Sequence, residues 1–350
     1  MSGGVDSSLA AKLMIDSGFD CIGCTMKLYH NQDIGIENTR SCCSLNDTED
    51  ARSVCYKLGM PYYVFNFTDD FRKKVIDKFV QSYEDGITPN PCIDCNRYLK
   101  FDKLYNRAKI LGCDYIATGH YARIEKQNGK FLLKKAFDQT KDQSYVLYSL
   151  TQEQLSHTMF PLGNMLKSDV RKLAEESGFV NADKPDSQDI CFVPDRDYVK
   201  FLEQYTQTRY PHGDFVSADG KVLGRHKGTV RYTVGQRKGL GISFNEPMYV
   251  KNIDTANNQV VLCRENELYT TEAAVQDFNW ISGEEPKSEI RCKVKIRYRR
   301  PEQWAVVIPK ADKTVQIVFD EPQRAITPGQ AAVLYDGDVV LGGGTISKTV

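Results

Sequence analysis

Apolar positions in the first 120 residues alternate between the period of a helix and that of a strand. Leu9, Leu13 and Ile15 indicate a helix over 7–17 that ends at Gly18. The elements predicted next are strands over 19–28, 62–65 and 115–118 and helices over 51–58, 71–83 and up to 111. This order predicts an α/β fold, a parallel sheet with helices on both faces.

The pattern changes after Tyr121. Asn128-Gly129 lies between two alternating runs and predicts a hairpin, and helices are predicted over 165–177 and 198–205. Gly- and Lys/Arg-rich segments follow, and short alternating strands with Gly, Pro and Asp turns follow those, which is typical of a small β-barrel. We therefore expect three domains: a catalytic domain over 1–205, a small central domain over 206–274 and a C-terminal β-barrel over 275–350.

The stretch Ser2–Ser8 combines a glycine-containing loop with the start of the first helix. Gly3 and Gly4 let backbone N–H groups converge on an anion, and the helix N-terminus favours negative charge. No lysine follows the glycines, so the loop differs from that of the P-loop enzymes. The string S-G-G-V-D-S instead resembles the loop of the N-type ATP pyrophosphatases, which implies that ATP is split into AMP and pyrophosphate, with Asp6 helping to hold Mg²⁺. Such a loop follows an apolar strand, so we expect the first strand of the sheet to be missing from this sequence.

Composition indicates the cellular compartment and limits how the protein could contact nucleic acid. Lys+Arg and Asp+Glu both number 46, so any contact with nucleic acid must come from a local basic patch. The 11 cysteines, with no signal peptide and no long apolar run, predict a cytoplasmic protein that does not bind a membrane and whose cysteines are thiols, metal ligands or transient redox partners.

Two cysteines are candidates for covalent chemistry. Cys95, in N-P-C-I-D-C-N, precedes a predicted helix whose dipole favours a thiolate, and Cys191, in S-Q-D-I-C-F, lies in a polar loop also followed by a helix. By themselves two distant cysteines are more often buried structural thiols than a catalytic pair. For Cys42-Cys43, the better interpretation is a reduced pair of thiols in a loop.

Several motifs together change this assessment. The strings S-G-G-V-D-S-S, N-P-C-I-D-C-N, A-T-G-H-Y-A-R, K-D-Q-S-Y, S-Q-D-I-C-F, Y-T-V-G-Q-R-K-G-L-G and R-Y-R-R are similar, in order and spacing, to those of the tRNA-specific 2-thiouridylases. The resemblance runs from Met1 to at least Gln330 and implies thiolation of uridine 34 in the tRNA anticodon loop. It also implies that Cys191 receives a persulfide from an upstream sulfur donor, a cysteine desulfurase or a sulfur-relay protein, and that Cys95 resolves the intermediate through a transient Cys95–Cys191 disulfide.

The resemblance also assigns binding residues. It implies ATP contacts by Ser2, Gly3, Gly4, Val5, Asp6, Ser7, Met26 and Gly119. It implies contacts with the target base by Asn90, Pro91 and Cys92, and with the rest of the tRNA by His120, Lys141, Asp142, Gln143, Arg297, Tyr298 and Gln330.

One position departs from the family pattern. Many members carry aspartate where this chain has Cys92, and Asp94 is a candidate to take over its role. Cys92, Cys95 and Cys191 also offer three thiolates, enough for a [4Fe–4S] cluster with one open iron site. An iron–sulfur-dependent tRNA thiolase, an amide-forming ATP pyrophosphatase and a non-catalytic RNA-binding protein are therefore the alternatives.

A basic run near the C-terminus is the candidate RNA surface. Lys293, Lys295, Arg297 and Arg299 alternate with apolar residues, so one strand would present all four charges on a single face. A solvated edge strand would show the same pattern, and both interpretations stay open.

Overall fold

The computed structural model describes residues 1–30, 45–185, 189–193 and 196–347. Its α-helices are α1 (Val5–Asp16), α2 (Leu45–Lys57), α3 (Thr68–Phe71), α4 (Asp77–Glu84), α5 (Pro91–Asp94), α6 (Leu104–Ile110), α7 (Gln152–Ser156), α8 (Lys167–Glu176) and α9 (Tyr198–Thr206). Its strands are β1 (Gly23–Lys27), β2 (Tyr62–Asn66), β3 (Ile116–Ala117), β4 (Ala122–Gln127), β5 (Lys130–Lys135), β6 (Thr158–Met159), β7 (Gly213–Ser217), β8 (Val222–His226), β9 (Tyr249–Asp254), β10 (Gln259–Cys263), β11 (Tyr269–Trp280), β12 (Ile290–Lys295), β13 (Gln303–Pro309), β14 (Val315–Arg324), β15 (Ala331–Asp336) and β16 (Val339–Ile346). The pair Cys42-Cys43 and the first two residues of the S-Q-D-I-C-F motif, Ser187 and Gln188, lie outside the described residues.

The N-terminal region has the predicted parallel α/β architecture. β1 pairs in parallel with β2, and β3 pairs in parallel with β6, a two-residue strand that the sequence pattern did not predict. Helices α1 and α8 pack together through Leu9, Ala10 and Val170 in one buried cluster. The carboxyl ends of β1 and β3 lead to Met26 and Gly119, as expected for a ligand site in such a sheet.

Two long helical segments carry π-helical turns. The segment Arg72–Ile76 joins α3 to α4, and the segment Cys95–Lys103 joins α5 to α6. Pro91 stands at the first position of α5, where its fixed φ suits a helix start. Cys92 therefore lies in the first turn of the helix, and Cys95 begins the π-helical segment one turn later.

The C-terminal strands close into a six-stranded barrel, as predicted. The order is β11-β14-β13-β12-β15-β16, and β16 pairs back onto β11. The barrel interior is filled by apolar side chains, among them Val294, Val307, Ile317 and Leu334. The predicted hairpin is β4–β5, and it extends the barrel sheet because β5 pairs with β16. The first and last domains therefore share a sheet.

The central region is a four-stranded sheet in the order β8-β7-β10-β9, with its own core around Phe215, Val250 and Val260. The proposed boundary at 206 falls at the end of α9. The proposed boundary at 275 falls inside β11, whose residues from Tyr269 onward already pair with β14.

The structure corrects one prediction about the basic run. β12 ends at Lys295, and Arg297 to Arg300 form a turn in which the Arg300 N–H donates to the Arg297 carbonyl. The four basic residues from Lys293 to Arg299 therefore do not share one strand face. Within the described ranges, every helix is too short or too polar to cross a membrane.

Candidate active site

The Ser2–Ser8 loop presents the N-terminus of α1. Gly4 is the N-cap with extended backbone, and none of the described side chains caps the helix there. Ser7 Oγ accepts hydrogen bonds from the Ser2 N–H (3.1 Å) and the Ser2 hydroxyl (3.2 Å), which closes the loop. An uncapped helix start with adjacent hydroxyls is a suitable place for phosphate oxygens.

Gly119 lies against this loop. A Cβ atom built on Gly119 would be 2.8–2.9 Å from the Asp6 carbonyl group and the Ser7 nitrogen, so a side chain is not tolerated. The end of β3 thus touches the start of α1. This contact brings together Gly119 and the Ser2–Ser7 loop, as the family resemblance implied for an ATP site.

Asp6 forms a partly buried ion pair that the sequence did not indicate. Lys167 Nζ lies 2.7 and 2.8 Å from the two Asp6 carboxylate oxygens, and the Tyr121 hydroxyl donates to Asp6 Oδ1 at 2.8 Å. The Lys167 side chain is 9% exposed and that of Asp6 is 31% exposed. A positive charge therefore stands beside the loop, although no lysine belongs to the loop itself.

A second lysine supports the other side of the loop. The Gly3 carbonyl accepts hydrogen bonds from Asn181 Nδ2 (2.9 Å) and Lys184 Nζ (3.3 Å). Lys184 also pairs with Asp47 and Asp50 at the start of α2. Burial lowers the pKa of Lys184, but its hydrogen bonds to the two carboxylates outweigh burial and raise it. Lys184 therefore stays protonated.

Cys92 lies near Lys100, which in turn contacts a buried histidine. Cys92 is exposed, but desolvation raises the pKa of its thiol against the opposing charge of Lys100. His120 is 8% exposed, and its ring nitrogens lie 2.8 Å from Thr118 Oγ1 and 3.3 Å from Lys100 Nζ. Burial and the charge of Lys100 hold the pKa of His120 well below its usual range, so the ring is neutral at neutral pH.

Asp94 forms an ion pair with a lysine of α4. Its carboxylate is 2.7 Å from Lys78 Nζ, and desolvation raises its pKa although Lys78 opposes this effect. The neighbouring Arg97 pairs with Asp277 of the barrel. The ion pair with Lys78 links α5 to α4. That Asp94 takes over the role of the aspartate found at position 92 in many family members stays a prediction.

The two catalytic candidates border one aromatic core. Cys191 is exposed, its carbonyl accepts from the Tyr29 hydroxyl at 2.8 Å, and the next residue, Phe192, is buried. The Phe192 ring packs on Phe71 with centroids 5.6 Å apart. Cys95 is half-buried and packs against the same hydrophobic cluster. Met26 borders this cluster as well.

Residues 141–143, expected to contact tRNA, are held by hydrogen bonds. Asp142 Oδ1 accepts from the Ala136 and Ser144 N–H groups, at 2.9 and 3.2 Å. Gln143 Oε1 accepts from the Tyr121 N–H at 2.9 Å. Lys141, Asp142 and Gln143 are all partly exposed, so RNA contact by this loop stays a prediction.

The other expected tRNA residues lie where domains meet. Arg297 Nη2 donates to the Val234 carbonyl (3.1 Å) and to Thr327 Oγ1, and desolvation lowers its pKa. The Tyr298 hydroxyl donates to the Asp142 carbonyl at 3.0 Å. Gln330 Nε2 donates to the Thr88 carbonyl at 2.9 Å. RNA contact by these three side chains stays a prediction, and their visible partners are protein groups.

The described side chains do not form either of the expected metal sites. In the part of the chain that the structure describes, three or more His, Cys, Asp or Glu side chains nowhere converge to hold a metal ion. Cys92, Cys95 and Cys191 thus do not fit a preformed cluster site. Both oxygens of Asp6 accept from Lys167, so Asp6 is not poised for Mg²⁺ either, and we derive no step through either group.

Comparisons with known proteins were made for the whole chain. Residues 1–195 match the model described as "tRNA methyl transferase HUP domain", 199–264 the "tRNA methyl transferase PRC-barrel domain" and 270–346 the "Aminomethyltransferase beta-barrel domain". A protein of Clostridioides difficile named tRNA-specific 2-thiouridylase MnmA is 50% identical over 100% of this chain and 97% of its own length. The chain belongs to the tRNA-specific 2-thiouridylase family. Proteins of the same name from Acetivibrio thermocellus (52% identity, 99% of this chain, 97% of that protein) and Clostridium beijerinckii (47%, 100% and 98%) are similar over comparable spans. These matches confirm the predicted enzyme family and the predicted three-part fold.

The residues at the site that were missed from the sequence include Lys100, Tyr121, Lys167, Asn181 and Lys184. Lys167 had no signal, because a lysine at the first turn of an amphipathic helix is normally solvated. Tyr121 belonged to the A-T-G-H-Y-A-R motif, so its place one residue beyond His120 was the available clue.

Proposed function

We propose that this protein catalyses ATP-dependent 2-thiolation of uridine at the wobble position, U34, of tRNA. The observation that carries the proposal is the segment Thr118–Tyr121, which contacts both halves of the site. Gly119 and Tyr121 touch the Ser2–Ser7 loop, and Thr118 and His120 connect to Lys100, whose charge acts on the Cys92 thiol. A nucleotide on the loop and a base beside Cys92 would therefore be neighbours.

Activation comes first in the proposed reaction. Uracil O2 attacks the α-phosphorus of ATP, the bond to the β-phosphate oxygen breaks, and pyrophosphate leaves. The α1 N-terminus supplies positive potential for the phosphate oxygens, and Lys167 neutralises the Asp6 carboxylate that would otherwise repel them. The oxygen of an amide carbonyl is a poor leaving group. Its conversion to a phosphate ester allows a nucleophile to displace it from C2 as AMP.

Sulfur transfer follows. The terminal sulfur of a Cys191 persulfide attacks C2, and AMP leaves with the former O2. The Cys95 thiolate then attacks Cys191 Sγ, which breaks the S–S bond and leaves the sulfur on C2. The resulting Cys95–Cys191 disulfide needs two electrons from a small-molecule or protein thiol before the next turnover. The persulfide itself comes from an upstream donor of the cysteine-desulfurase or sulfur-relay class.

The decisive experiment combines the full-length chain, ATP, Mg²⁺, a persulfide donor and a tRNA transcript with U34. We expect 2-thiouridine, AMP and pyrophosphate in equal amounts, measured by mass spectrometry of nucleosides and by phosphate chromatography. A matched transcript with C34 should give none. Formation of AMP without 2-thiouridine under anaerobic conditions, with iron bound to the protein, would instead support the cluster-dependent alternative.

A further inference from the structure

The lysines around the site differ in how their charge is compensated. Lys167 is paired with Asp6, and Lys184 is paired with two carboxylates of α2. Lys100, in the π-helical segment Cys95–Lys103, is half-buried, and none of the carboxylates that the structure describes forms an ion pair with it. Lys100 is therefore a cation of the site that the described protein groups leave without a counter-charge.

A neutral histidine holds Lys100 in place. Lys100 Nζ lies 3.3 Å from His120 Nε2, and because an ammonium group can only donate, Nε2 is the acceptor. The His120 Nδ1–H then donates to Thr118 Oγ1 at 2.8 Å. The Thr118 N–H donates to the Met159 carbonyl of β6 at 3.1 Å, so this row of contacts is anchored in the sheet. An uncharged ring orients the ammonium group but does not neutralise it.

Lys100 also keeps hydrogen-bonding capacity for a ligand. An ammonium group carries three N–H donors. Within the described ranges, the hydrogen bond to His120 is the one that Lys100 forms. The remaining donors are free to meet an anion, and a bound anion would offset the cost of holding a half-buried, unpaired charge.

The position of Lys100 relates it to both expected reactants. Its partner His120 directly follows Gly119, where a side chain would collide with the backbone of Asp6 and Ser7 in the nucleotide loop. On the other side, desolvation raises the pKa of the Cys92 thiol, and the charge of Lys100 opposes this rise. Lys100 thus lies between the nucleotide loop and a residue expected to meet the target base. In an adenylated base, the anionic group that links nucleotide to base is the α-phosphate.

We infer that Lys100 binds the α-phosphate of the nucleotide, donating its remaining N–H groups to the non-bridging oxygens and stabilising their charge as uracil O2 attacks. The inference rests on the proposed function for its catalytic meaning. Lys100 forms no covalent bond and keeps its proton, so the bonds made and broken are those of the adenylation step. The tRNA contact that the family resemblance implies for His120 stays a separate prediction.

The test compares AMP, whose one phosphate is the α-phosphate, with adenosine, which has none. Lys100→Met removes the charge and keeps most of the side-chain length. Its Kd for AMP should rise about tenfold, and its Kd for adenosine should not change, as measured by equilibrium dialysis of radiolabelled ligands. The kcat of pyrophosphate release in the presence of tRNA should also fall, by at least about tenfold. Lys103→Met is the matched control, because Lys103 lies on the same helical segment and pairs with Asp70.

Three outcomes would overturn the inference. Equal losses of AMP and adenosine affinity in Lys100→Met would show that Lys100 only supports the shape of the pocket. Unchanged AMP affinity, with or without weaker tRNA binding, would remove Lys100 from the phosphate site. A wild-type protein that binds AMP no more tightly than adenosine would show that no cation meets the α-phosphate. If the wild-type protein makes no 2-thiouridine, the proposed function fails, while the comparison of AMP with adenosine still decides the role of Lys100.

Discussion

Lys167 Nζ contacts both carboxylate oxygens of Asp6, at 2.7 and 2.8 Å, so α8 supplies the charge that neutralises the carboxylate of the Ser2–Ser8 loop. The two residues are 161 positions apart. The ion pair fixes the side chain of Asp6, the second residue of α1, which also accepts a hydrogen bond from the Tyr121 hydroxyl. Nucleotide chemistry at the loop should therefore depend on α8.

We predict that Lys167→Met destabilises the protein and stops pyrophosphate release. The expected loss is about 2 kcal/mol, below the roughly 3–5 kcal/mol of a fully buried pair, because Asp6 is 31% exposed. Urea unfolding measures the first effect and a pyrophosphate assay the second. Lys172→Met, on the same helix with a 75% exposed side chain, is the control and should change neither. Normal pyrophosphate release by Lys167→Met would show that the pair is only structural.

Asp6→Ala should abolish ATP-dependent adenylation and leave tRNA binding nearly intact, because the carboxylate lies at the nucleotide loop and not at an RNA-facing surface. Pyrophosphate release in the presence of tRNA and filter binding of labelled tRNA are the two measurements. Asp16→Ala, at the other end of α1 and paired with Lys12, is the matched variant. Pyrophosphate release by Asp6→Ala at the wild-type rate would place the nucleotide elsewhere.

The fold was largely predictable because local patterns agree with it. Gly18, Gly59 and Asn128-Gly129 mark helix ends and a hairpin where the structure has them, since each needs a left-handed backbone conformation. The prediction that the basic residues from Lys293 to Arg299 share one strand face was wrong, because the strand ends before Arg297. Alternation predicts a strand face only as far as the strand continues, and Arg297 instead turns inward to bond the Val234 carbonyl.

Sequence motifs predicted the parts of the site that lie at the ends of strands in the parallel sheet, but not the contacts between distant side chains. Gly119 was identified correctly as a neighbour of the loop, and its contact with Asp6 follows from the parallel sheet. Lys167 and Gln330 act across more than 150 positions of sequence, as shown by their contacts to Asp6 and Thr88. Such pairings depend on how domains pack, which periodicity does not encode.

His120 should make stability depend on pH. Its pKa in the folded protein is well below the ordinary histidine value of 6.5, because the ring is buried, so the unfolded chain binds the extra proton first as pH falls. The free energy of unfolding should therefore decrease below about pH 6.5, by at most about 1.4 kcal/mol per pH unit for one proton. His120→Gln should flatten this dependence in urea titrations at several pH values. The exposed His212→Gln should not, and an equal slope in all three proteins would contradict the burial argument.

Cys191 and Cys95 should fail in different ways when each is replaced by serine. Persulfide transfer needs a thiolate that accepts sulfur and later releases it to an attacking cysteine. Cys191→Ser should abolish thiolation and sulfane-sulfur loading while ATP-dependent activation of tRNA stays measurable, since the nucleotide loop is unchanged. Cys95→Ser should keep sulfur on Cys191 but stop turnover, because the internal disulfide cannot form. Radiolabelled sulfane sulfur with peptide mapping distinguishes the two variants, and Cys21→Ser, two residues before β1, is the control. Wild-type labelling of Cys191→Ser, or normal 2-thiouridine formation by it, would make Cys95 or the Cys92–Cys95 pair the sulfur carrier.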